Sequence, residues 1–215
     1  IADDVLYKMD MNKGTKKELA TGLNEDQYVA SEDGHLVAYE KEDPSKSKSV
    51  TVMNLETDQE YEVTCKDGEC IKPLGFMDGD FVYGVAKTEE VGTTLSGAQV
   101  IPMYKVEITS SKDKVIKTYE QSGIYMLSAT FEDNMITLDR AVKDGDTYTG
   151  TAQDYITSSE EAKESNIYVQ TYKTDLKETQ VRLTYDDGIS DKEPKLLKPK
   201  QVVLENIPQV SLDRK

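Results

Sequence analysis

The chain has 215 residues, of which 41 are acidic and 26 basic, giving a net charge of −15. That balance excludes the clustered Lys and Arg needed to hold a phosphate backbone or an anionic bilayer, so no nucleic-acid partner is expected. Apolar residues make up 37%, Trp is absent, and thirteen Tyr stand against three Phe, which implies a thin core faced by amphipathic strands.

The first predicted element is a hairpin running from Leu6, Tyr7, Lys8 and Met9 to Leu19 and Thr21. A second follows at Tyr28–Glu40, with Val29 and Ala30 before a turn at Asp33 and Gly34, and Leu36 to Tyr39 after it. Val52, Met53 and Leu55 to Val63 and Thr64 form the next. Then come Cys65, Lys66, Asp67, Gly68, Glu69 and Cys70, the two cysteines of the chain. Asp followed by Gly is a strong two-residue hairpin turn, which would set Cys65 opposite Cys70 at a non-hydrogen-bonded position. There the Cα separation of roughly 4.5 Å suits a disulfide. Two free thiols are the alternative; a redox or metal pair has no third or fourth ligand nearby. A disulfide would imply a compartment outside a reducing cytosol.

Further along, Asp78 and Gly79 turn into Phe81, Val82, Tyr83, Gly84 and Val85, and Met103, Tyr104 and Val106 run to Ile116 and Thr118. Ala129 and Phe131 lead through Asp133 and Asn134 to Met135, Ile136 and Leu138, with a return strand after Asp144 and Gly145. Ser158 and Glu161 have capping-box spacing and predict one short helix over Ser158 to Lys163. Ile167, Tyr168 and Val169 to Leu183 and Thr184 form another hairpin, then a turn at Gly188. Pro194 and Pro199 flank a basic extended stretch before a last strand at Val202, Val203 and Leu204.

Four of these hairpins share one phrase: a short apolar and tyrosine run, a polar turn, and a charged run closing on threonine. They alternate with hairpins of a second kind. Two antiparallel hairpins repeated about every 45 to 65 residues describe the four-stranded sheet of one propeller blade. The predicted fold class is therefore all-β, a propeller-like array of four-stranded antiparallel blades. The divisions are a half blade at 1–22, blades at 23–65, 66–119 and 120–186, and a linker with a terminal strand at 187–215. Roughly three to four blades fall short of closing a ring, so the expectation is part of a larger propeller. A start at Ile1, inside an apparent strand, agrees with a processed product or a piece of something longer. An uncovered edge strand would allow self-association, or pairing with the missing parts of a parent chain.

Ser31, Glu32, Asp33, Gly34, His35 and Leu36 to Tyr39, followed by Val50 to Leu55, Glu56, Thr57, Val63 and Thr64, resemble the blade repeat of TolB-type propellers. The same phrase is similar to the propeller repeats of prolyl oligopeptidases and dipeptidyl peptidases. The segments Phe76 to Ala86 and Phe131 to Arg140 are degenerate versions of it. The resemblance implies a propeller and no particular activity, because such repeats serve scaffolds and substrate filters alike.

Candidate chemistry is sparse. The Gly-x-Ser-x-Gly turn of α/β-hydrolases is absent, and the single histidine, His35, follows the Gly34 turn as a solvated residue would. The carboxylate pairs Asp78 and Asp80, Asp144 and Asp146, and Asp186 and Asp187 could hold a hard cation or act as acid and base. None continues into a calcium-loop pattern, and turn chemistry accounts for each. Tyr7, Tyr104 and Tyr168 hold equivalent places in their hairpins, which points to equivalent packing. No catalytic residue, metal ligand or cofactor is expected. No stretch reaches the roughly eighteen apolar residues of a spanning helix, so direct membrane insertion is not expected either. The functional expectation is a non-catalytic binding or scaffold module of an exported or cell-surface bacterial protein, taking a protein, peptide or glycan. The alternative is a substrate-gating propeller segment of a serine peptidase whose catalytic domain lies elsewhere; a third, an intracellular scaffold, gains if both cysteines are free.

Overall fold

A computed structural model of the chain describes residues 4–10, 13–94, 96–97, 99–111, 113–132, 134–158, 167–174 and 177–185. The fold is all-β. β1 (Val5–Asp10) and β2 (Thr15–Thr21) pair as a hairpin. β3 (Tyr28–Ala30), β4 (Leu36–Tyr39), β5 (Ser49–Asn54) and β6 (Glu60–Thr64) form a four-stranded antiparallel sheet in sequence order.

A ten-stranded sheet follows. Its first part is β7 (Glu69–Met77) and β8 (Asp80–Lys87), an excursion through β9 (Gly92–Thr94) and β10 (Gln99–Val100), then β11 (Met103–Ser110) and β12 (Lys114–Glu120). The order β7-β8-β11-β12 is again antiparallel between neighbours. The second part is β13 (Ile124–Glu132), β14 (Met135–Asp144), β15 (Thr147–Gly150) and β16 (Asp154–Thr157). The two parts join where Met103 faces Met126 and where β9 runs parallel to β15. β17 (Ile167–Thr174) and β18 (Lys177–Tyr185) pair as a hairpin.

Side chains alternate across a strand with period two, and here the alternation feeds three apolar layers. Leu6, Ala20 and Leu23 pack on Val37, Tyr39 and Met53, one face of the four-stranded sheet. Its other face offers Ala38, Val50, Val52 and Val63 to Ile71, Phe81, Tyr83 and Val85 of β7 and β8. The reverse face of β7, β8 and β11 gives Cys70, Val82, Ala86, Met103, Val106 and Ile108 to Met126, Ile136, Leu138 and Ile156. β8 is therefore covered on both sides, which is why its sequence Phe81–Ala86 is an unbroken apolar run. Successive units stack face to face through these layers.

The Asp78–Gly79 turn closes β7 on β8 with positive φ at both residues, 55° and 85°, the backbone a primed two-residue hairpin demands. The same dipeptide at Asp67 and Gly68 behaves differently. Glu69 N donates to Lys66 O at 3.1 Å, so the chain does turn, but β6 and β7 belong to different sheets and the turn connects them. The hairpin expected to face Cys65 with Cys70 is not formed, and both are free thiols. Cys70 lies opposite Ala86 in the layer between β8 and β14, whereas Cys65 packs on the layer before it. Strand β7 stands between the two side chains.

Beyond Ser158, the helix expected to Lys163 lies outside the described residues. So do Asp186, Asp187, Gly188, Pro194, Pro199 and the strand expected at Val202 to Leu204. Among the described residues no helix is long and apolar enough to cross a membrane.

Candidate functional groove

Edge strand β12 carries a β-bulge: Ile108 of β11 faces Lys117 while Thr109 faces Val115, so Ile116 is an extra residue between them. A bulge bends its strand and re-aims a side chain. Here Ile116 is 52% exposed, and it lines a groove of about 300 Å³ beside its neighbour Lys117. The floor is Met77 and buried Ile108; the rim is Asp78 and Asp80 at the β7–β8 turn and Thr157 and Ser158 at the end of β16. Ser158 is fixed there by its amide, which donates to Asn134 O at 2.9 Å.

A polar clasp joins β12 to β16, the strands that bring Lys117 and Thr157 to this groove. Tyr119 donates its hydroxyl to Asp154 Oδ2 at 2.7 Å. Arg140 Nη1 reaches the same carboxylate at 3.1 Å, Tyr119 Oη at 3.1 Å and Gln121 Oε1 at 2.9 Å, and its Nε donates to Ala152 O at 2.7 Å. The Tyr119 hydroxyl, then the Tyr155 amide and the Arg140 charge, hold the Asp154 carboxyl below the usual range. Burial, with Asp154 adding to it, raises Tyr119. The groove itself offers apolar contact from Met77, Ile108 and Ile116, carboxylates at Asp78 and Asp80, one ammonium, and hydroxyls at Thr157 and Ser158.

Of the residues singled out in the sequence, Asp78 and Asp80 reach this groove. His35 sits away from it, 48% exposed, with Nδ1 3.2 Å from Glu56 Oε1. Asp144 shapes the β14–β15 turn, its carbonyl accepting from Thr147 Oγ1 at 2.9 Å; Asp146 flanks Tyr148. Tyr7 lies beneath Lys16, whose Nζ is 3.8 Å from the ring centroid, and Tyr104 donates to Glu69 Oε1 at 2.8 Å. The equivalence expected of Tyr7 and Tyr104 is not one of partner; the Tyr168 side chain lies outside the described residues. Burial pushes the Cys70 thiol up to about 11 and raises Cys65 as well, so neither is a ready thiolate. Among the described residues no group of three or more His, Cys, Asp or Glu is arranged around a common metal position.

Ile116, Lys117, Thr157 and Ser158 escaped the sequence reading as groove residues. The exposed apolar pair Val115 and Ile116 inside a charged strand is the only trace of the bulge that the sequence carries.

No family model matches the chain, and no curated protein matches it. Solved structures do align with it, among them one titled "Structure of U3-55K", at 12% identity and a TM-score of 0.40, covering 80% of this chain and 53% of that one. The chain thus spans about half the length of that aligned structure.

Proposed function

We propose that this chain is a binding or scaffold module without catalysis of its own; with both cysteines free it fits an intracellular scaffold as well as a cell-surface one. It is built as part of a β-propeller, and it takes an extended peptide in the groove beside Ile116. The propeller reading is supported by two successive four-strand runs, β3 to β6 and β7-β8-β11-β12, packed face to face through one apolar layer. Its repeated phrase also resembles that of TolB-type propellers.

The bulge that aims Ile116 over the groove is the observation that carries the binding assignment. Ile116 shares its groove with Met77 and Ile108, and an apolar strip rimmed by polar groups is the kind of surface that interaction sites present. Charge selects the occupant: Asp78 and Asp80 stand at one rim of a strongly acidic chain, so an apolar peptide side chain over Met77 and Ile116 would be followed by a basic one. Lys117 is placed to meet a backbone carbonyl or carboxylate.

Fluorescence polarisation with labelled hexapeptides that set Lys or Arg beside Leu, Ile or Phe tests the assignment. Ile116→Asp and Asp78→Asn, which keeps a residue suited to the positive φ of the turn, are each expected to weaken binding at least tenfold, roughly 1.4 kcal/mol, with the urea midpoint unchanged. Equal binding by acidic scrambled peptides, or by both variants, would overturn it.

A further inference from the structure

Glu40 is 1% exposed, and neither of its carboxyl oxygens has a hydrogen-bond partner. Buried polar groups are ordinarily paired, so a lone buried carboxyl calls for an explanation. Three segments enclose it. The 3-10 turn Glu25–Gln27 lies on one side: Glu40 N donates to Gln27 O at 2.9 Å, and Gln27 Nε2 to Glu42 O at 2.8 Å. The loop 41–48 lies on another, folded by Lys46 N and Ser47 N, which both donate to Asp43 O. The third is β7 of the neighbouring sheet, whose Ile71 N donates to Ser47 O at 2.9 Å. Glu40 therefore lies where one sheet is fastened to the next.

We propose that Glu40 is a protonation-controlled latch: with a neutral carboxyl the loop 41–48 stays closed on β7, and ionisation frees the loop and loosens the junction of the two sheets. The charged and titratable groups around it are few. The Ser47 hydroxyl beside it, which donates to Ser49 O at 3.0 Å and not to the carboxyl, favours its ionisation; Asp26 from the 3-10 turn and Asp43 from the loop disfavour it, and Lys72 from β7 favours it. Loss of solvent outweighs them all and pushes Glu40 up to about 8. The neighbouring Cys70 thiol, pushed up to about 11, keeps its proton throughout.

The sign follows from linkage. Opened, the carboxyl titrates near 4.5; closed, near 8. Between those values the open state releases a proton that the closed state keeps, so opening grows roughly tenfold per pH unit and then levels off above about 8. The junction is thus tightest in mild acid, the reverse of a latch made from a paired carboxylate.

Amide hydrogen exchange of the full chain from pH 5 to 9, corrected for intrinsic rates, tests the latch. In the parent protein the protection of Ile71, Ser47 and Glu40 amides should fall roughly tenfold per unit up to about pH 8. In Glu40→Gln it should vary less than about threefold over the same range. Core amides such as Val82 and Ile136 should show the same profile in both proteins. Identical slopes in parent and variant, or a slope shared equally by the core amides, would overturn the proposal. A carboxyl carbon titration of Glu40 in the parent protein gives a second, variant-free readout, and a midpoint in the ordinary carboxylate range would overturn it as well.

Discussion

Gly84 and Met103 occupy one space across the β8–β11 pair: a Cβ built on Gly84 would lie 1.9 Å from Met103 Sδ and 2.6 Å from its Cγ. Both residues are buried in the layer between β8 and β14, where interior packing leaves no slack. Gly84→Ala should therefore force the thioether from its place and destabilise the chain by about 1–3 kcal/mol. Met103→Ala removes both colliding atoms, so the double variant should lose less than the two single losses summed. Urea unfolding of the two single variants and the double variant measures the coupling. Additive effects would mean that the two side chains do not share the space.

The thiols give a direct check on the turn at Asp67 and Gly68. With Cys65 and Cys70 on opposite sides of β7, both are expected to react as thiols in denaturant without reductant. In the folded protein Cys65, half-buried with its sulfur 3.4 Å from Glu69 O, should alkylate slowly; Cys70, at 1% exposure, should wait for unfolding. Mass spectrometry after pulsed alkylation resolves the order. A purified chain lighter by two hydrogens and inert to alkylation would restore the disulfide reading.

Much of the strand content was legible because the patterning is regular. Val37, Ala38 and Tyr39 alternate between two layers, and the unbroken run at Phe81–Ala86 announces a strand covered on both faces. The turn dipeptides were legible as turns, yet not as pairings: Asp78–Gly79 joins two strands of one sheet and Asp67–Gly68 joins two sheets. Local backbone preference sets the bend, whereas the choice of partner strand belongs to packing beyond the turn. Ile116 was illegible as a groove residue because a bulge depends on register with β11, which Lys114 to Glu120 alone do not encode. Glu40 closes the hairpin Tyr28–Glu40, and nothing in the residues beside it marks it as buried. Its burial comes from a loop that folds back and from a strand of the next sheet.

Arg140 should be a stabilising residue out of proportion to its place near the surface. Its guanidinium serves Tyr119, Gln121, Asp154 and the Ala152 carbonyl at once, a fork that an ammonium on a flexible stem does not reproduce. Arg140→Ala is expected to cost about 1–3 kcal/mol, and Arg140→Lys to regain less than half of it. The same substitutions should loosen the hold of β16 on β12 and weaken peptide binding in the groove. Thermal melts alongside the polarisation assay separate the two effects: a full rescue by Lys would show that charge alone, not the fork, holds the clasp.

Alkaline titration should split the tyrosines into two classes. Burial raises Tyr39, Tyr61, Tyr83, Tyr104, Tyr119, Tyr125 and Tyr148, with Tyr148 pushed up to about 12. Carboxylates reinforce the effect where the hydroxyl donates to one, as from Tyr83 to Glu107 Oε2 at 2.8 Å and from Tyr125 to Glu90 Oε1 at 3.1 Å. A phenol that keeps its proton longer when folded favours the folded state below its ordinary value of 10, and that advantage is lost as the pH climbs past it. Unfolding should accordingly set in above about pH 10 and release the late-titrating tyrosines together. Tyrosinate absorbance followed with far-ultraviolet circular dichroism tests this. One wave centred near 10 with the sheet signal intact would show that these hydroxyls are not buried against their carboxylates. Tyr83→Phe, which keeps the ring in the layer it shares with Phe81 and removes the ionising group, should move the onset of alkaline unfolding to higher pH.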